Sequence, residues 1–288
     1  MLGKRNVMTL IMFAGIVFLA GAVFFLVSAN STSLKNGTLD LSEWDGQHAI
    51  ALVGKAEFSQ DELMLQQTSK SPEQDNLVNF PPSRNYYEIR KKHVPGMEKG
   101  TYLIHVTGAK PDQTLALRIP PYLLTYRIYI DGKLAEPRDK NEAAEDGSVS
   151  RYEVETFEFI PAHESFNIAI QLSHSDYPFS VGYSAFYLGN VGQIERINSV
   201  ICGYDIFVIA FLLVIVFYNV FYYFLRKDLF FIIFVLMCLM MIGRTLISGS
   251  FLISSVLSNP GPRTALYIDY FTAFFLPVSW LSITYLSN

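Results

Sequence analysis

Three charged side chains sit inside long apolar stretches of this 288-residue chain: Asp205 in "VICGYDIFVIAFLLVIVFYNVFYYFL", Arg244 in "FVLMCLMMIGRTLISGSFLI" and Asp269 in a run that begins near Ala265. An uncompensated charge at a bilayer centre costs several kcal/mol, roughly 3 on insertion scales, so such groups face a bundle interior and pair. Counted from the outer end of each run, Asp205 lies about five residues in, Asp269 about four to five and Arg244 about nine, which at 1.5 Å per residue puts all three within roughly 6 to 14 Å of one surface. The chemistry this predicts is a buried polar cluster of Arg244 with Asp205, Asp269 or both. The competing arrangement has Arg244 snorkelling outward and the aspartates in the wet interface. Transport would require a continuous polar path, and the inner halves of the first two runs offer only Asn219 and tyrosines.

A second concentration of chemistry is "LSHSDYPFSVGYS", with His174, Asp176, Tyr177, Phe179 and Tyr183 close together. Aromatic planes beside hydrogen-bonding groups suit a sugar or other small polar ligand. Equally, these aromatics could pin a loop to the membrane side of its domain. "RNYYEIRKKH" permits a weaker form of the same reading, and its basic run is that of a solvated face or loop. No phosphate loop, dinucleotide fingerprint or paired-histidine zinc motif occurs. The five histidines are scattered, and His105 reads as an ordinary strand residue. No spacing of carboxylates predicts a catalytic pair. No catalytic residue, metal or cofactor is assigned. The net charge of -4 without a basic stripe argues against a nucleic-acid partner.

The elements that must position these groups follow from composition. Hydrophobic residues make up 51% of the chain and charged ones 17%, and the charge lies mostly between Lys35 and Arg196. Residues 1–30 carry Lys4 and Arg5 ahead of an uncharged run, expected as a signal anchor with a cleaved signal peptide as the competitor. Residues 31–199 alternate apolar with polar in "TYLIHVT", "TLALRIP", "TYRIYI", "VETFEFI", "FNIAIQLS" and "YSAFYLG", with a hairpin signal in "IDGKL". Short strands without intervening helical patterns predict an antiparallel β-sandwich, with long surface loops over Gln66–Asn85 and Glu136–Arg151. Residues 200–288 hold three apolar runs: Val200–Leu225, about Leu229–Ile253, and from near Ala265 onward. The positive-inside rule puts "RKD" on the inner side and residues 31–199 outside. The fold class expected is therefore a mixed membrane protein, an extracellular β-sandwich joined to α-helical spans. Cys202 and Cys238, the only cysteines, fall in the apolar runs, so the central domain needs no disulfide. The last run stops at "TYLSN", and the expectation is a longer protein continuing past Asn288.

The order "IALVGKAEFSQDELML", "GTYLIHVTG", "YRIYIDGKL", "LSHSDYPFSVGYSAFYLGN" resembles the extracellular jelly-roll module, related to galactose-binding domains, of bacterial seven-transmembrane receptors with diverse intracellular signalling modules. "YNVFYYFLRKDLFFIIFVLMCLMMIGRTLISG" is similar to that family's first spans. The resemblance implies an outward ligand sensor, seven spans and a cytoplasmic output such as a diguanylate cyclase or histidine kinase. This chain holds three of those spans and an added N-terminal one. The partners expected are the lipid bilayer, an extracellular sugar or small-molecule ligand, and a second copy of the chain in a homodimer. The alternatives are a membrane-tethered carbohydrate-active or carbohydrate-binding protein, and a transporter.

Overall fold

A computed structural model describes residues 33–60, 77–81, 99–120, 125–138, 154–173, 186–247, 250, 252–253 and 262–287. Residues 1–30, expected to anchor the chain, lie outside this set.

Eleven strands form one curled, mostly antiparallel sheet of jelly-roll type: β1 (Ser33–Leu34), β2 (Thr38–Asp40), β3 (Ile50–Gln60), β4 (Leu77–Phe80), β5 (Lys99–Thr107), β6 (Leu115–Ile119), β7 (Thr125–Ile130), β8 (Lys133–Leu134), β9 (Glu155–Phe159), β10 (Phe166–Ser173) and β11 (Phe186–Asn190). The order is β8-β7-β10-β5-β3-β11-β6-β9, with β4 on β3 and with β1 and β2 added in parallel to β3 and β5. Curling is possible because β3 belongs to both layers. Its first residues, Ile50–Leu52, pair with β11, and its last, Glu57–Gln60, pair with β5. Between them Gly54 takes φ +145°, and a Cβ there would stand 2.4 Å from the Leu34 carbonyl oxygen. Only glycine fits a strand that bends this closely past another backbone.

The period-2 pattern explains the core. Tyr102, Ile104 and Val106 of β5, Phe166, Ile168 and Ile170 of β10, and Tyr126 and Ile128 of β7 turn inward to meet Leu115, Leu117 and Ile119 of β6, Phe157 of β9 and Phe186 of β11. The six strands expected from alternation are present, though the first residues of "YSAFYLG" lie outside the described set. The Asp131-Gly132 turn joins β7 to β8 with φ 48° and 75°, the geometry its sequence called for. One expectation is corrected: Gln66–Asn85 is not loop throughout, because Leu77–Phe80 is strand β4, paired with Gly54–Glu57 of β3. Three apolar residues, Leu77, Val78 and Phe80, were too few to show against the polar run around them.

Among the described residues three helices follow: α1 (Val191–Arg226), α2 (Leu229–Ile247) and α3 (Pro262–Ser287). Helix α1, of 36 residues, and α2, of 19, are long and apolar enough to cross a membrane. They pack through Leu212, Ile215, Phe230, Phe231, Phe234 and Cys238. The "RKD" turn is built as its residue types suggest. Lys227 takes the left-handed conformation, its N–H donates to the Tyr223 carbonyl at 2.7 Å, and Asp228 Oδ1 accepts from the Phe230 N–H at 3.0 Å to open α2.

Candidate functional site

Helix α1 begins at Val191, ahead of the apolar run that starts at Val200, and its first turns lie against the sheet. Asn190 ends β11 and caps the helix: its side chain accepts from the Gln193 N–H at 2.9 Å, while the Gln193 side chain accepts from the Asn190 N–H at 3.0 Å. The Gln193 amide also donates to the Gly46 carbonyl at 2.7 Å. Every residue of β6 is buried because this helix covers the face that the core does not. Ala116 meets Ile194, and the next outward residue, Arg118, is sealed beneath the helix at 1% exposure.

Arg118 is the densest piece of electrostatics in the sandwich. Its Nε donates to Asn198 Oδ1 of α1 at 2.6 Å, and its guanidinium lies 5.9 Å from the Tyr187 ring centre. Nη1 is buried with no hydrogen-bond partner. Burial pushes the group down to about 10, opposed by Tyr187, whose own phenol burial raises. Beside it, Arg138 Nη1 donates to Glu195 of α1 at 2.7 Å and its Nε lies 3.3 Å from Glu158 of β9. Helix and sheet are thus joined by a cap, an apolar patch and two guanidinium contacts.

The path of α1 fixes which end of the sandwich is which. Asn190 pairs with Leu115 at the start of β6, and Asn198 reaches Arg118 near its end, so helix and strand run the same way. The helix therefore leaves past the end of the sandwich that carries Ile119, Glu155, Ser173, Lys99 and Gln60. His174, Asp176, Tyr177, Phe179 and Tyr183 lie outside the described residues, but the flanking Ser173 and Phe186 are both at that end.

A different polar surface lies on the outer face of the β3-β5-β10-β7 layer. Ser59, Thr101, Gln171 and Arg127 stand in one register row across four strands, next to Glu57, Leu103, Ala169 and Tyr129. Thr101 is 2% exposed, Ala169 3%, Leu103 7% and Glu57 8%, low values for an outward face. Gln171 Oε1 is buried without a hydrogen-bond partner. The face opens along the strands toward exposed His105, whose Nδ1 is 2.6 Å from Asn167 Oδ1. The register row was not legible in the sequence, since it requires strand pairing, although polar residues at strand positions 101, 127 and 171 were its available signal.

Among the helices, Asp205 of α1 is buried, and its Oδ2 accepts from the Ser250 N–H at 2.7 Å and the Ser250 hydroxyl at 2.6 Å. Arg244 is half-buried on α2, six residues ahead of Ser250 in the chain. The side chain of Asp269 lies outside the description, but its neighbour Ile268 packs with Ile247 and Ile253, which brings the start of α3 to the end of α2. Asn219, Thr245 and Ser282 each donate to the carbonyl four residues back, so these polar side chains are satisfied within their own helices. Among the described residues no three His, Cys, Asp or Glu side chains converge as a metal site.

No family model matches the sequence, and no match was found among curated proteins. Solved structures similar to part of the chain include a glycosyl hydrolase family 2 member from Bacteroides cellulosilyticus, at 14% identity over 47% of this chain and 19% of the enzyme, TM-score 0.34. A Bacteroides uniformis beta-glucuronidase matches at 15% identity over 49% and 17%, TM-score 0.34, and a Dictyoglomus thermophilum beta-D-mannosidase at 10% over 50% and 23%, TM-score 0.34. The chain spans about a fifth of the length of these enzymes.

Proposed function

We propose that this chain is the sensor and first membrane spans of a signalling receptor of the bacterial seven-transmembrane type, with the β-sandwich outside the cell and a cytoplasmic output beyond the residues described. The observation that carries this reading is the unbroken α1. One helix is clamped to the sheet by the Asn190–Gln193 box and the Arg118–Asn198 bond, and runs on without a break into a membrane-length apolar segment. A tether needs no such joint, whereas a sensor whose ligand shifts two packing states of a bundle does. The Asp205–Ser250 bonds give the helix a second fixed point.

The expected ligand is a sugar or other small polar molecule. The second reading is a membrane-tethered carbohydrate-binding protein, and the two part on whether α1 transmits.

Topology is tested in a background with Cys202 and Cys238 replaced. A membrane-impermeant maleimide should label Glu43→Cys in intact cells and Arg226→Cys only after permeabilisation. Labelling of both in intact cells, or the reverse pattern, rejects the reading.

A further inference from the structure

We infer that the inner end of α1 carries a site for one anionic glycerophospholipid, with its phosphate on Arg226 and its ester groups on the Tyr218–Tyr222 pair. This rests on the membrane-spanning part of the reading above, and it gives a partner to residues that the sensor and the α1–sheet joint leave unused.

Tyr218, Tyr222 and Arg226 follow one another at intervals of four, so they form one line along α1, about 12 Å from first to last. The two rings lie 4.6 Å apart, their side chains are hydrogen-bonded to each other, and Arg226 is near enough for its charge to act on Tyr218. Tyr222 also meets Phe231 of α2, ring centres 5.8 Å apart, so the line flanks the seam between the two helices. Tyr218 and Arg226 are exposed, and among the described residues no carboxylate forms an ion pair with that guanidinium.

Two phenols in contact hold two protons, and the bond between them uses one. The other needs an acceptor, which hydrocarbon does not offer and the ester carbonyls of a phospholipid do. Arg226 stands about 6 Å beyond Tyr222 along the helix, toward the inner surface. Groups follow the same order down a phospholipid: phosphate first, glycerol esters next, acyl chains deepest. Exposed Val214 and Phe221, beside the pair, give those chains an apolar wall.

Charge selects the headgroup. Asp228, across the turn, is engaged in capping α2, and Lys227 is turned to another face of α1, its Nζ lying 5.5 and 5.1 Å from the ring centres of Tyr223 and Phe224. The line therefore offers the single positive charge of Arg226, matched by one phosphate. A zwitterionic headgroup adds an ammonium that the guanidinium disfavours, so a net-negative lipid such as phosphatidylglycerol is preferred.

The test uses the full chain in nanodiscs of phosphatidylcholine doped with phosphatidylglycerol, read by electron paramagnetic resonance of spin-labelled forms of each lipid. The wild type should immobilise the anionic lipid in preference. Arg226→Gln should cut that preference about tenfold, the loss of one charge-assisted hydrogen bond, and Lys227→Gln should leave it unchanged. Diffuse attraction to an anionic leaflet acts on every basic residue near the surface and would treat the two alike. Tyr218→Phe with Tyr222→Phe should weaken retention of both lipids about threefold without altering the preference, since both carry the same esters. Circular dichroism and melting of each variant in the same discs separate a lost site from a lost fold. The proposal is overturned if the wild type shows no preference, if Arg226→Gln and Lys227→Gln lose it equally, or if the double phenylalanine variant retains both lipids as before. Displacement by excess inorganic phosphate would also overturn it, because the site would then need no lipid. The maleimide pattern decides the topology independently, so failure here is told apart from failure of the receptor reading.

Discussion

At the scale of single residues the most informative is Arg118. In "TLALRIP" it reads as the polar member of an alternating strand, and alternation is right about its direction but not about what lies there. The cover comes from α1, and the bond to Asn198 spans 80 positions, a distance at which no periodicity speaks. A buried guanidinium with one orphan nitrogen is held at a desolvation cost, shown by its fall to about 10. Two outcomes follow. Asn198→Ala, which removes the acceptor from a buried charge, should destabilise the sandwich by about 2 kcal/mol in chemical denaturation. Arg118→Met with Asn198→Leu should recover that loss or exceed it, since replacing a buried charge together with its polar partner by apolar groups removes the desolvation cost along with the bond. A pH effect belongs to Asp40, which the Ser42 backbone N–H and then its hydroxyl hold below the usual carboxylate range. A folded-state value below the unfolded one means the turn is favoured above about pH 4 and loosens as pH falls through the folded value. Titrating the Ser42 amide by NMR should show that transition, and Asp40→Asn should abolish it.

At the scale of elements, the sequence was most legible where a local rule decides. Strands β5, β6, β7, β9 and β10 follow their period of two, the Asp131-Gly132 turn follows its positive φ, and the Arg-Lys-Asp turn follows its capping residues. It was least legible where an element exists by its neighbours. Strand β4 is four residues recruited by the edge of β3, and residues 191–199 are helix because the capping box and the sheet support them, not because they are apolar. The capping box predicts that Asn190→Ala lowers stability by about 1 kcal/mol, measurable as reduced protection of the first amides of α1 in hydrogen exchange. Gly54→Ala is the harsher change. A Cβ placed 2.4 Å from the Leu34 carbonyl on a positive φ should cost at least about 3 kcal/mol, and a melt that stays at the wild-type temperature would show that β3 does not bend there. Stiffness of α1 is open to test as well. Ser199→Gly with Val200→Gly, each roughly 0.5 kcal/mol poorer in a helix, leave the Arg118–Asn198 bond in place and should let the sandwich reorient faster on the bilayer in time-resolved anisotropy, as a rigid joint requires.

At the scale of the whole molecule the path of α1 orients the sandwich. Between Asn198, level with Arg118, and buried Asp205 the helix rises by about 10 Å, so the end of the sandwich at Ile119, Glu155 and Ser173 stands close above the level of the Asp205–Ser250 bonds. If α1 crosses the bilayer, the connections that start from Gln60, Ile119 and Ser173 begin at the membrane-facing end, while the turns at Asp112, Asp131 and His163 point away. Strand β5 alone, at nine residues, separates the two ends by about 30 Å, so depth is measurable. With spin labels on the full chain in vesicles containing nickel-chelating lipid, Lys99→Cys, beside Ser173 at the end past which α1 leaves, should relax fast and Asp112→Cys and His163→Cys slowly. Equal relaxation at all three sites would mean that α1 does not carry the sandwich upright.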